Sequence, residues 1–369
     1  MPVRIAFLLP NFTHVPIGGF KIIYQYANRL QERGHQVSVV QAPLVRRDAG
    51  AKNQLRAWTT YLKRGIGGPA SFRPDRWMHV HPAVQMIWRP SFASYWIPDG
   101  DAVVATAWQT AEWVRHYPGS KGKKFYFIQH LETWNRAQSD RVIQTWKLPL
   151  TKIVIARWLK DYAATLGEQA IYVPNAVDES EFGVDDAIQL RNPCHVGMLF
   201  HRTPWKGSKD GLNALMSVKK SVPELQVTLF GTESRPPELP SWVHYIENPS
   251  RPDLRRLYNQ IAIFVGPSWT EGWGLPPMEA ALSGAALCLT DIGGHREFAQ
   301  HEDTALLSPA QDADALAHNV LRLIQDSALR WRLAHRALMN CQRFTWENST
   351  SRLEAALMEH EQAPGCKNP

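Results

Sequence analysis

Two glutamates, Glu271 and Glu279, stand eight residues apart in the stretch Gly266 to Gly284, GPSWTEGWGLPPMEAALSG. The apolar run Ile261 to Val265 reads as a buried strand and Met278 to Leu282 as a helix, so Glu271 sits on the loop between them. Pro276 and Pro277 suit the first helical turn, where a missing N–H costs nothing, and Gly284 suits the helix end, which puts Glu279 inside the helix. Two carboxylates therefore flank one helix N-terminus. Its unpaired N–H groups and positive dipole end make a seat for a phosphate, around which the carboxylates can grip hydroxyls. The plain alternative is a solvated loop with one helical glutamate.

Other candidates also lie where strands give way to loops. Past the strand His195 to Leu199 comes FHRTPWKGSKDG, with Arg202, whose planar guanidinium suits bidentate phosphate contact, and Lys206 before Gly207. Gly18 and Gly19 separate the strand Val3 to Leu9 from the helix Ile22 to Leu30, where glycine lets the backbone approach an anionic group. His130 follows the strand Lys124 to Ile128, and His14, in the glycine loop, is a weaker candidate.

These residues need strands and helices in alternation to hold them. Val3 to Leu9, the helix closed by Gly34, and Gln36 to Val40 make a βαβ unit. Residues 42 to 100, punctuated by six prolines, are the least regular part and read as a variable, specificity-bearing insertion. Further strands at 102–106, 124–128 and 152–155 follow, then Ile171 to Asp178, a polar stretch, and a second series at 195–199, 226–231, 243–246, 261–265 and 285–289. Such alternation predicts an α/β chain with two parallel sheets. At 369 residues and 44% hydrophobic content, two domains of roughly 170 to 190 residues are expected.

Pro267-Ser268, Glu271-Gly272-Trp273-Gly274-Leu275-Pro276, Glu279-Ala280 and Gly284 resemble the E-x7-E signature of the retaining family 4 glycosyltransferases (glycosyltransferases group 1) of GT-B fold. The resemblance runs over nearly the whole chain and is strongest from Pro174 to Trp346. It implies two Rossmann-like, doubly wound domains facing a cleft: 1–174 on the acceptor side, with a final helix 347–369 packing back on it, and 175–346 binding a nucleotide sugar. By the same resemblance Glu271 binds a donor-sugar hydroxyl, Glu279 the nucleotide ribose, and Gly274 and Leu275 the diphosphate. Lys206 closes on that diphosphate, Gly18 and Gly19 lie near donor and acceptor, and His130 lies against the donor sugar. One departure stands out. Met198 occupies the position the family gives to an arginine, and Arg202, from a slightly longer loop, is expected to supply the missing charge.

The implied function is transfer of a hexose or deoxyhexose, with retention, from a nucleoside-diphosphate sugar, UDP- or TDP-linked donors being favoured, to a glycan, glycolipid or natural-product acceptor. The rivals are a GT-B epimerase or phosphorylase, a non-catalytic nucleotide-sugar-binding protein, and a glycoside hydrolase using two carboxylates about 5 Å apart. No cofactor and no metal is expected to be obligatory. Asp99-Gly100-Asp101 precedes a strand and Asp312-Ala313-Asp314 starts a helix, neither in the context of a metal-holding D-x-D pair.

Composition narrows the rest. The net charge is +7, but no sustained basic helix or aromatic–glycine RNA signature supports a nucleic-acid partner. Residues 46–64, with Arg46, Arg47, Lys52, Arg56, Lys63 and Arg64 among Trp58, Tyr61 and Leu62, read either as a solvated helix face or as peripheral contact with an anionic membrane or a charged acceptor. No apolar segment approaches the roughly 18 to 20 residues that span a bilayer, and the opening apolar run is too short for a signal peptide. Cys194, Cys288, Cys341 and Cys366 are widely spaced, which fits buried small apolar residues and a reducing cytoplasm, at or away from the inner face of the membrane.

Overall fold

A computed structural model describes residues 1–358; Cys366 and the end of the expected final helix lie outside these. The described residues form two compact units, one of Met1–Ile155, Leu159–Pro174 and 347–358, the other of Ala156–Trp158 and Asn175–Trp346.

In the first unit the elements run β1 (Arg4–Pro10), α1 (Gly18–Glu32), β2 (Gln36–Ala42), α2 (Ala51–Ile66), β3 (Gln85–Trp88), β4 (Ala102–Ala105), α3 (Trp108–Val114), β5 (Lys123–Ile128), α4 (Ser139–Trp146), β6 (Thr151–Val154), α5 (Arg157–Thr165) and β7 (Ala170–Tyr172). The seven strands are all parallel in the order β3-β2-β1-β4-β5-β6-β7. Strands such as Ile5–Leu9 and Ala102–Ala105 are buried throughout, because helices cover both faces of a doubly wound sheet and leave no solvent side for alternation. Residues 42–100 are more regular than the sequence suggests: they carry the sixteen-residue α2 and the edge strand β3. Ala170–Tyr172, read as part of the connection, is the other edge strand.

The second unit runs β8 (His195–Leu199), α6 (Ser208–Ser221), β9 (Gln226–Gly231), β10 (Val243–Glu247), α7 (Arg251–Gln260), β11 (Ile263–Gly266), α8 (Leu275–Leu282), β12 (Ala286–Thr290), β13 (Leu306–Ser308), α9 (Ala313–Gln325) and α10 (Ser327–Cys341). Its six parallel strands repeat the arrangement as β10-β9-β8-β11-β12-β13. Val196, Met198, Leu229, Ile263, Val265 and Cys288 form the centre of its core with Leu215, Val320 and Leu323 from the helices. The last helix, α11 (Trp346–Met358), counts with the first unit from Glu347, where Arg33 and His35 both pair with Glu354, the latter at 2.8 Å.

Each sheet reverses its strand order at one place, between β1 and β4 in the first unit and between β8 and β11 in the second. Connections on either side of such a switch point leave to opposite faces and open a crevice at the strands' carboxyl ends, where ligands collect. The loops after β8 and β11 are the ones that carry Lys206 and Glu271.

Candidate active site

In the second unit the β8 and β11 loops are locked together before any side-chain chemistry is considered. Gly207 follows a single 3-10 turn, Pro204–Lys206, and takes φ +65°; a Cβ there would lie 1.9 Å from the Pro267 carbonyl oxygen. Only glycine fits both the left-handed backbone and that approach. The Trp269 N–H bonds the Trp205 carbonyl at 2.8 Å, and the Trp269 indole bonds Asp210 at 2.6 Å. This stitching delivers Lys206 to Glu271: its ammonium lies 2.8 and 2.9 Å from the two carboxylate oxygens, and the Ser268 hydroxyl donates to Oε1 at 2.9 Å. Burial opposes the charge on Glu271, but the Lys206 ammonium and the Ser268 hydroxyl more than offset it and hold the carboxyl below its ordinary value.

Helix α8 starts from Gly274, at φ +106°. A side chain there would also strike His295, whose Cδ2 would be 2.9 Å away. Pro276 and Pro277 have no N–H, and the Met278 N–H turns back to the Gly274 carbonyl at 3.4 Å. Among the described residues this leaves the N–H groups of Gly274 and Leu275 as the donors the helix terminus can offer. Leu199, Lys206, Ser268, Glu271, Pro276 and His295 line one cavity. His295 is 1% exposed; with Nδ1 against the Thr290 carbonyl at 2.8 Å, its protonation is disfavoured by burial. Another hollow, in the first unit, is lined by Arg73, Asp75, His79, Val80 and Pro82, where Arg73 is already paired with Asp75. Convergent charge at a helix terminus favours the first cavity as the site.

Glu279 is held apart from Glu271. Oε1 lies 3.3 Å from the Arg251 guanidinium and Oε2 accepts from the Tyr258 hydroxyl at 3.2 Å, both on α7. Arg202 pairs with Glu233, is 55% exposed, and is not among the residues lining the cavity. Met198, where the family has arginine, is wholly buried, and its sulfur would lie 2.3 Å from a Cβ on Gly211; the next residue, Leu199, is the one that meets the cavity. An arginine at 198 would enter the core.

In the first unit Gly18 and Gly19 are the opening residues of α1. The Gln129 amide donates to the Gly19 carbonyl at 3.1 Å, and a Cβ on Gly19 would come within 3.3 Å of that amide, so α1 starts against the end of β5. His130 follows at once. Its Nδ1 accepts the Glu132 N–H at 3.2 Å, which fixes the neutral ring as the Nε2–H tautomer, and its ring lies 5.0 Å from that of Trp134. Glu132 takes φ +58°, and burial pushes its carboxyl up to about 8. His14 lies 3.4 Å from Arg64, and burial, then that guanidinium, lowers its pKa.

The two D-x-D pairs serve structure. Asp99 pairs with Lys121 and Asp101 with Arg4, at 2.7 and 2.8 Å, while the Asp312 side chain caps α9 by accepting from the Ala315 N–H. His295, Arg251, Gln129 and Glu132 were not singled out from the sequence, and Ser268 was named only as part of the motif. The glycine pair ahead of His295 was the available signal for one of them; the others are recognisable only by their tertiary partners.

Residues 192–326 match the family model described as glycosyl transferases group 1. O-antigen chain mannosyltransferase B of Escherichia coli is 32% identical over 110 residues, 30% of this chain and 28% of that one, and the lipopolysaccharide core mannosyltransferase LpcC of Rhizobium leguminosarum bv. viciae is 35% identical over 78 residues, 21% and 22%. The matched segments thus span under a third of those relatives' own length. Phosphatidyl-myo-inositol mannosyltransferase of Mycolicibacterium smegmatis is 22% identical over 93% of this chain and 90% of its own. Among solved structures, Anabaena Alr3699/HepE in complex with UDP and glucose aligns over 96% of this chain and 99% of its own with a TM-score of 0.72 at 16% identity. Residues 192–326 are thus similar to the glycosyl transferases group 1 family, and the pair of parallel-sheet units has the fold of the GT-B glycosyltransferases.

Proposed function

We propose that this chain is a retaining glycosyltransferase that moves a hexosyl or deoxyhexosyl group from a nucleoside-diphosphate sugar to a glycan, lipid-linked or small-molecule acceptor. The observation that carries the reading is the Lys206–Glu271–Ser268 cluster beside the open N–H groups of Gly274 and Leu275. Breaking the bond from the anomeric carbon to the diphosphate leaves positive charge on the sugar and negative charge on the leaving group. Lys206 and the α8 terminus meet the second of these, in a site where they are already oriented. Glu271, held ionised, accepts a hydrogen bond from a sugar hydroxyl, and the ion pair it makes with Lys206 gives way to those two contacts when donor enters.

Glu279, with Arg251 and Tyr258 fixing its carboxylate, is proposed for the ribose. Gly18, Gly19 and His130 are proposed for the acceptor side, where His130 would present its Nε2–H. Retention is proposed through attack on the face the diphosphate leaves, with a departing phosphate oxygen taking the acceptor's proton. Lysine and helix terminus together supply the positive potential, so no metal is required by this scheme. UDP-linked donors are favoured because solved relatives of the fold are described with UDP and UDP-glucose; the mannosyltransferase relatives favour a hexose.

Glu279, held by Arg251 and Tyr258 and not among the residues lining the cavity with Glu271, weighs against a glycoside hydrolase, which needs both carboxylates on one bond. An epimerase, a phosphorylase and a binding protein part from a transferase in one assay. Nucleoside-diphosphate release from donor sugars is measured with and without candidate acceptors. Acceptor-dependent release supports transfer; release that ignores acceptor, or binding with no release at all, contradicts it.

A further inference from the structure

The turn after β12 brings a buried imidazole to the cavity with half of its hydrogen bonding unused. Gly293 and Gly294 lead from β12 into the 3-10 turn His295–Glu297. A Cβ on Gly294 would lie 2.6 Å from the Glu271 carbonyl oxygen, so the turn runs against the loop that carries Glu271. His295, 1% exposed, lines the cavity with Lys206 and Glu271. Its Nδ1 lies 2.8 Å from the Thr290 carbonyl, and the Thr290 hydroxyl donates to the carbonyl of Ser268, the residue that also holds the Glu271 carboxylate. A carbonyl oxygen can only accept. The proton of the neutral ring is therefore on Nδ1, and Nε2 is a bare lone pair.

Among the described residues no donor is bonded to that lone pair. Side chains do not cover it from the cavity side either. The ring edge that bears Nε2 faces Gly266 and Gly274, where a Cβ would stand 3.8 and 3.3 Å from the nitrogen, and Gly266 lines the same cavity. A buried acceptor left unpaired is costly, and native proteins seldom keep one without a ligand or a role for it. Protonation would turn Nε2 into a donor, but burial disfavours the imidazolium.

The partner must therefore bring its own proton. The ionised oxygens of a diphosphate have none to give and would meet the lone pair with repulsion. A sugar hydroxyl has one. We propose that His295 is a specificity-determining residue for the transferred sugar, its Nε2 accepting from one donor-sugar hydroxyl while Glu271 accepts from another. The cavity then presents two acceptors to hydroxyls and, in Lys206 and the α8 terminus, donors to phosphates. A site built to pair with a hydroxyl rejects the analogue that lacks it, because its own polar group is then left unpaired. The inference deepens the reading of this cavity as a donor site and rests on it.

The test is calorimetric titration of the full chain with UDP, GDP, UDP-glucose and GDP-mannose. The tighter-binding sugar nucleotide is then compared with its analogues in which each sugar hydroxyl in turn is replaced by fluorine, which cannot donate. In wild type two positions should each cost on the order of tenfold in affinity. An asparagine amide nitrogen falls near Nδ1 and a glutamine amide oxygen near Nε2. His295→Asn thus keeps the bond to Thr290 and loses the acceptor, whereas His295→Gln keeps the acceptor. In His295→Asn the cost at one position should shrink to within about twofold, with the cost at the other and the affinity for the free diphosphate unchanged. His295→Gln should keep both costs. Should His295→Asn fail to fold, His295→Phe takes its place, and thermal melts within a few degrees of wild type exclude unfolding as the cause. Both costs surviving the loss of the acceptor overturns the proposal. So does a cost erased in His295→Gln but not in His295→Asn, which would reduce the ring to its bond with Thr290, or fewer than two costly positions in a wild type that still binds the diphosphate. A chain that binds neither diphosphate nor sugar nucleotide would instead refute the donor-site reading, and the inference falls with it.

Discussion

Replacing Glu271 by glutamine keeps the shape of the group and its ability to accept from Ser268, and removes the negative charge that Lys206 faces at 2.8 Å. In the proposed scheme this weakens the hydrogen bond from the donor sugar and leaves the diphosphate contacts alone. Hydrogen bonds to charged groups contribute about 1.5–3 kcal/mol, so turnover with donor should fall roughly 10- to 150-fold. UDP affinity, measured by titration calorimetry, should hold or tighten slightly, because Lys206 no longer spends its charge on Glu271. The same change has a pH signature. A carboxyl whose folded pKa lies below its ordinary 4.5 contributes stability above that value, and the contribution is lost as pH falls through the folded value. The melting temperature of Glu271→Gln should therefore trail wild type at pH 7, and the gap should narrow as pH falls below 4.5. Unchanged turnover, or a loss in UDP affinity as large as the loss in turnover, would remove Glu271 from the sugar.

Three further outcomes are expected. Lys206→Ala should weaken UDP binding on the order of 10- to 100-fold while uridine binding stays within about twofold, since a charge-assisted contact to phosphate is lost and nothing touching the nucleoside changes; equal losses would show that Lys206 does not meet the phosphates. The pairing of Arg202 with Glu233 predicts that Arg202→Ala costs less than about threefold in kcat/KM, whereas a loss of tenfold or more would bring its guanidinium to the diphosphate in place of the arginine absent at 198. Glu132, pushed up to about 8 by burial, contributes stability that is whole below pH 4.5 and lost as pH rises through 8. Glu132→Gln should accordingly be the more stable of the two proteins at about pH 9 and lose that advantage at about pH 4, as melts at both pH values would show; parallel curves would contradict the assignment.

The β11 loop and α8 were legible because several local rules agree there: a buried strand, glycine where the backbone turns left-handed, prolines confined to the first turn and a closing glycine. The βαβ opening was legible for the same reason, with Gly34 ending α1 at φ +88°. Helix α2 was read only as one alternative, a solvated helix face, and its bounds were not given, because its one buried residue is Ala57 and its apolar spacing points outward, among prolines that read as loop. Strands β7 and β13, three residues each, are too short to carry a period and are defined by their neighbours in the sheet. The site showed the same division. Glu271 and Lys206 could be named in advance, but Arg202 could not be assigned a direction, since which side of a strand end faces the cavity depends on register; Leu199 faces it and Met198 does not. His295 became visible only once Thr290 and Gly274 were folded against it.

The central claim is that Lys206, Glu271 and the start of α8 hold a nucleoside-diphosphate sugar for transfer with retention. Proton NMR of the product formed from an α-linked UDP-hexose, with acceptor present, tests this most directly. The account predicts a product that keeps the donor's anomeric configuration and a yield that collapses in Lys206→Ala. A product of opposite configuration, or one formed equally well without Lys206, would contradict it.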